Sequence, residues 1–159
     1  MLRVATIALV GLSVAATGFA QAPGILDART AEAIVQGCAA HAIGKKQSEA
    51  IVVVDLGGHI VAARRMDGNG SGIFDFARVK AEAAAAWGFS TAEMARAAQS
   101  TPGFALAPHV VTVPGGLPLF SADGKVRIGA VGVSGEASAD DAECAEAGIR
   151  AAGLRSSRS

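Results

Sequence analysis

Between residues 27 and 46 the apolar positions Ala31, Ile34, Val35, Cys38 and Ala42 recur at spacings of three and four, which places them on one stripe of an amphipathic helix. Gly44 and the two lysines after it close that helix. The pattern then changes. Residues 50–54 form a β-branched run, Asp55-Leu56-Gly57-Gly58 has turn chemistry, and residues 59–65 predict a second strand, so the segment is a β-hairpin. The glycine-rich stretch 67–72 predicts a loop, followed by a helix from about residue 75 to Trp87 that Gly88 ends. Ser90 and Glu93 have the spacing of a capping box, which starts a second short helix near Thr91.

Two prolines and a glycine between Ser100 and Pro108 exclude regular structure there. Residues 110–113 then predict a strand that stops at Pro114-Gly115-Gly116, and Asp123-Gly124 turns the chain into another strand over residues 125–133. After a loop at 134–138, Ser138 with Asp140 and Asp141 is placed to cap a last helix running through Ile149 toward Leu154, and the tail 155–159 is expected to fray. Strands joined by tight turns, with helices bunched between them, make an α+β protein with an antiparallel sheet.

The first residues stand outside this pattern. Met-Leu-Arg, an uncharged apolar tract over residues 4–19 and the small-residue tail to Ala22 have the three parts of a secretory signal. Cleavage after Ala20 is expected, because cleavage after Ala22 would leave Pro23 first and disturb the extended backbone a peptidase grips. The tract falls short of the roughly 20 apolar residues of a membrane span. Residues 1–20 are therefore expected to be a removable signal peptide and 21–159 a single domain, periplasmic or secreted, with no stable membrane anchor. In an oxidising compartment Cys38 and Cys144 can bridge; equally, they can be two buried thiols.

Composition narrows the class. Of 159 residues, 51% are hydrophobic but only 4% aromatic, with 20 glycines and no tyrosine, so the core is built from small side chains. The 14 basic residues balance 14 acidic ones, which excludes nucleic-acid binding driven by net charge. Nucleophile-elbow, Walker and zinc spacings are absent. Three histidines remain, His41, His59 and His109, each able to ligate a metal or haem iron and each as readily a plain surface residue. Arg64 and Arg65 are neighbours on a strand and so point to opposite faces; one of them can meet a carboxylate at a pocket rim, or bridge to Asp55 or Asp67. Lys80 is a second candidate cation, or a solvated lysine.

Taken together, residues 52–61 (VVVDLGGHIV), Arg65-Met66-Asp67-Gly68, Lys80-Ala81, Gly115-Gly116-Leu117-Pro118-Leu119, residues 129–135 (GAVGVSG) and the closing Asp140-Asp141 to Ala147-Gly148 resemble the GlcG/HbpS family of haem-binding proteins, in order, over about residues 27–153. The resemblance implies a profilin-like α+β fold, an antiparallel sheet of about five strands flanked by helices, and assembly into homo-oligomers. It further implies an exported haem-binding protein that stores, senses or slowly degrades haem. On that basis haem is the expected cofactor, with His59, His109 or His41 as candidate iron ligand and Arg65 or Lys80 near the propionates. Where many relatives have a shorter, more apolar segment, this chain has Gly68-Asn69-Gly70-Ser71-Gly72. Two other functions fit the residues: a small-molecule enzyme or accessory protein of organic-acid catabolism using Arg65, Asp67 and Lys80, and a ligand-free structural oligomer.

Overall fold

A computed structural model describes residues 24–159; the expected signal peptide and its expected cleavage point lie outside the described residues. The elements in chain order are α1 (Ala28–Lys45), β1 (Ala50–Val54), β2 (Ile60–Arg65), α2 (Ser71–Trp87), α3 (Thr91–Ser100), a 3-10 turn (Phe104–Leu106), β3 (Gly116–Phe120), β4 (Arg127–Ser134) and α4 (Ser138–Ala151). Asp27 caps α1 by accepting from the Thr30 amide, and the Ser90/Glu93 capping box starts α3.

The strands form one sheet in the order β2-β1-β4-β3, every neighbouring pair antiparallel. The α+β class is as expected, but the sheet has four strands among the described residues, not five. The strand expected at 110–113 does not form: that segment has no ladder partner and is half-buried or exposed. The chain pairs six residues later, over β3, where the glycines and prolines had suggested a turn. Pro118 is tolerated because β3 is an edge strand, where one side of the backbone needs no partner.

Alternation sorts the central strand's side chains between two layers. Ile51 and Val53 face α1 and α4, whereas Ala50, Val52 and Val54 meet the alanines of α2. Buried on both faces, β1 reads as an unbroken apolar run. Small residues let the layers close to backbone contact. Gly132, paired with Gly116 in the β3–β4 ladder, faces α2 so tightly that a Cβ there would lie 2.0 Å from the Ala77 carbonyl oxygen. On the other face a Cβ on Gly148 of α4 would lie 2.5 Å from the Ile34 carbonyl oxygen of α1. That helix pair is stapled by the Cys38–Cys144 disulfide, of sequence separation 106.

Three boundaries differ from expectation. Helix α2 begins at Ser71 because Gly70 takes the N-cap position, so the last two residues of the glycine-rich stretch are helix. The N-cap of α4 is Ala137, and Ser138 lies inside the helix, with Asp140 and Asp141 in its first turn. The tail is not frayed: Arg155 exchanges two backbone hydrogen bonds with Phe120, of 2.8 and 3.1 Å, and the Ser159 amide donates to the Gly124 carbonyl at 3.2 Å.

Two outcomes follow. Gly132→Ala is expected to cost about 3 kcal/mol or more, read as a lower urea midpoint. Denatured, unreduced protein is expected to show no free thiol, and reduction to remove about 4.7 kcal/mol of stability, the value for a loop of about 100 residues.

Candidate functional site

The most enclosed charged groups meet at one end of the sheet. Lys80 of α2 is fully buried and its ammonium donates to Asp141 Oδ2 at 2.7 Å and to the Val133 carbonyl at 2.9 Å. The Phe76 ring centroid lies 4.8 Å from the same nitrogen. Glu49, directly before β1, is also fully buried, and among the described residues neither of its carboxyl oxygens accepts a hydrogen bond. Burial, then the carboxylates of Asp141 and Glu136, push its pKa up to about 8 against the opposing pull of Lys80, so its carboxyl group is protonated at pH 7. Glu136 completes the cluster: its amide donates to Asp141 Oδ1 at 3.1 Å and its Oε1 accepts from the Ser48 amide at 3.0 Å. Lys80, expected beside a ligand's anionic end, is thus closed inside the protein and paired.

The three histidines are not brought together. His41 of α1 is 22% exposed, and its Nε2 lies 3.9 Å from Glu143 Oε1 at the α1–α4 seam, beside the Lys45–Glu143 and Lys45–Asp140 ion pairs. His59 follows the hairpin turn with its side chain 84% exposed and Nδ1 3.4 Å from Asp55 Oδ1. That aspartate also accepts from the amides of Gly57 and His59, at 2.8 and 3.0 Å. The His59 amide above all holds the Asp55 carboxyl below the usual carboxylate range.

His109 lies in the segment between the 3-10 turn and β3. Its backbone is left-handed, with φ +59°, a conformation that non-glycine residues adopt only when their surroundings hold it. Here the Trp87 indole N–H donates to the preceding Pro108 carbonyl at 3.0 Å. His109 lines a hollow of about 230 Å³ with Leu56, Gly57 and Gly58 of the hairpin turn and Glu82, Ala85 and Ala86 of α2. Its wall is about equally polar and apolar. Glu82 is its one acidic lining residue and is ion-paired with Arg78.

Arg65 lies elsewhere. It lines a hollow of about 360 Å³ with Ser48, Arg64, Met66 and Asp67, and its guanidinium donates to the Asn69 carbonyl. Arg64, on the same hollow, reaches Gln36 of α1 at 3.5 Å. The structure therefore brings Arg65 and Asp67 to one hollow and leaves Lys80 out of it. Glu49 and Asp141, the partners that enclose Lys80, carry no mark in the sequence: one reads as a polar residue ahead of a strand, the other as part of a helix cap.

Residues 26–150 match the family model described as "Haem degrading protein HbpS-like". Among solved structures, the chain is similar to HbpS at 25% identity and a TM-score of 0.72, over 86% of this chain and 97% of that one. A double mutant of HbpS from Streptomyces reticuli is 28% identical with a TM-score of 0.72, over 89% and 97%. A PduOC:heme complex, 24% identical over 84% and 99%, has a TM-score of 0.75 and shares the fold. No curated protein matches the chain.

The Glu49 proton gives stability a pH dependence of known sign. The folded protein keeps this proton up to about pH 8, whereas the unfolded chain releases it above about 4.5, so the stabilisation is complete below 4.5 and is lost as pH rises through 8. The loss amounts to about 5 kcal/mol at most. In paired urea titrations, Glu49→Gln is expected to gain stability relative to the parent steadily from pH 5 to 8 and to level off above; parallel curves would refute the assignment.

Proposed function

The chain belongs to the HbpS-like haem-degrading family, and from that membership we propose that it binds haem, with His109 as the iron ligand and the edge of the macrocycle in the hollow beside it. The observation that carries this reading is the placement of His109, which lines a recess with Leu56, Ala85 and Ala86, while the imidazole of His59 projects into solvent and that of His41 is held at the helix seam. Leu56, Ala85 and Ala86 suit a porphyrin edge. With Glu82 on its wall, the recess would take an uncharged edge of the macrocycle more readily than a propionate.

At about 230 Å³ the recess is smaller than the roughly 300 Å³ at which small-molecule pockets begin. It can hold an edge of the macrocycle and not the whole of it. A second copy of the chain is the proposed cover. Leu56 and Ile60 at the hairpin are about half exposed, and Leu106, three residues before His109, is 89% exposed. Apolar groups left in water around a ligand recess favour an interface. Homo-oligomer formation is thus proposed together with haem binding.

Export is proposed from the signal pattern of residues 1–20, supported by the Cys38–Cys144 disulfide, which persists where the compartment is oxidising. A periplasmic or secreted protein of this kind would store or sense haem or degrade it slowly. An acid–base enzyme using Arg65, Asp67 and Lys80 is disfavoured, because Lys80 shares no hollow with the other two.

Haemin titrated into the protein is expected to give a saturable Soret shift at micromolar concentration. His109→Ala is expected to weaken it at least tenfold, and His59→Ala and His41→Ala to leave it as in the parent. No saturable shift, or a His109→Ala spectrum identical to the parent's, would overturn the proposal.

A further inference from the structure

Another hollow lies away from all three histidines. It measures about 460 Å³ and opens between the end of α2, the outer edge of β3 and the tail after α4. That volume falls inside the range of small-molecule sites. The pairing of Arg155 with Phe120 and of Ser159 with Gly124 holds residues 156–158 as a wall of this cleft.

One side of the cleft is aromatic. Trp87 and Phe89 meet edge to face at 6.0 Å, Trp87 also packs edge to face on Phe104 at 5.2 Å, and the indole N–H is engaged by Pro108, so the rings are set before any ligand arrives. The other side is cationic. Arg127 and Arg158 both line the cleft, and neither takes part in an ion pair among the described residues. Arg127 gives one N–H to the Ala85 carbonyl, which fixes the guanidinium and leaves the rest of its donor fork available. A carboxylate, Glu93, also lines the cleft, but its Oε2 is committed to the Ser90 amide and hydroxyl at 2.7 and 2.8 Å in the capping box of α3. Two guanidinium groups against one committed carboxylate leave the cleft positive.

We propose that this cleft binds a flat apolar molecule carrying one oxyanion head group, a carboxylate or a phosphate ester, with its ring against Trp87 and Phe89 and its head group toward Arg127 and Arg158. Planar forked donors recognise either oxyanion, and the hydroxyl of Ser156 adds a neutral donor on the same wall. The site is separate from the haem recess and stands or falls independently of it.

Trp87 is the only tryptophan, so its fluorescence reports on the cleft directly. Benzoate and phenyl phosphate, titrated to millimolar concentration into the full chain, are the probes, and benzyl alcohol is the neutral control. A saturable change with benzoate, phenyl phosphate or both, and none with the alcohol, is expected; whichever anion binds more tightly names the head group. Arg158→Gln, an exposed substitution, is expected to weaken binding about tenfold, the loss of one hydrogen bond to a charged group. Its thermal midpoint should stay that of the parent. Arg127→Lys keeps the charge and removes the fork, and should weaken binding likewise. No saturable change with either anion, an equal response to benzyl alcohol, or unaltered binding in Arg158→Gln would overturn the proposal.

Discussion

A single ammonium group closed inside the protein fixes how the two helical layers meet the end of the sheet. Lys80 comes from α2 on one face, Asp141 from α4, which packs with α1 on the other, and the Val133 carbonyl from the strand between them. The pair cannot be treated as a bonus to stability, because removing both charges from water costs much of what their attraction returns. Its force is conditional: with either partner absent, the other is a buried charge with no compensation, a loss of about 3–5 kcal/mol. Glu49 fits beside the pair only as a neutral acid, since its ionised form would set two carboxylates against one ammonium. The strand end, the turn through Gly135 and the first turn of α4 are thereby held in one arrangement.

The same interior explains where a ligand can go. A core of alanine, valine and isoleucine closes to backbone contact at Gly132 and Gly148. The described hollows open at the rim, one beside the β1–β2 turn, one between the end of α2 and the tail, and one at the end of β2. A rim site exposes one side of whatever it holds. For a macrocycle this makes cover from outside the chain a physical need and not an embellishment.

Periodicity was most informative where local chemistry and burial agree. The helical stripe through Ile34 and Cys38, the β-branched run of β1 and the Ser90/Glu93 box all appear in the structure, because each is decided within a few residues. The errors share a cause. Residues 110–113 have strand composition but no partner, whereas Gly116 and Pro118 look like breakers yet pair with β4, since an edge position forgives proline and the close approach of α2 demands glycine. The candidate site was legible as residue types and not as a constellation. His109 could be named, but its left-handed backbone and its meeting with Leu56 and Ala86 depend on contacts between distant segments. Lys80 could also be named, yet the partners that bury it, Glu49 and Asp141, are ordinary surface residue types until the fold joins them.

Trp87 connects the two rims. Its indole N–H holds the Pro108 carbonyl and so fixes the strained backbone that presents His109, while its ring forms the aromatic wall of the cleft bearing Arg127 and Arg158. At 38% exposure it is too open to be a core residue and too constrained to be a free surface one. An aromatic side chain with an apolar body and a single polar donor suits this position, since the donor can be satisfied by backbone while the ring faces remain available. With Lys80 enclosed, the chain's cations for recognising an anion are those on its surface, and among them Arg127 and Arg158 share a cleft with Trp87. The enclosed charges thus hold the layers together, whereas Arg127 and Arg158 at the rim take part in no ion pair among the described residues.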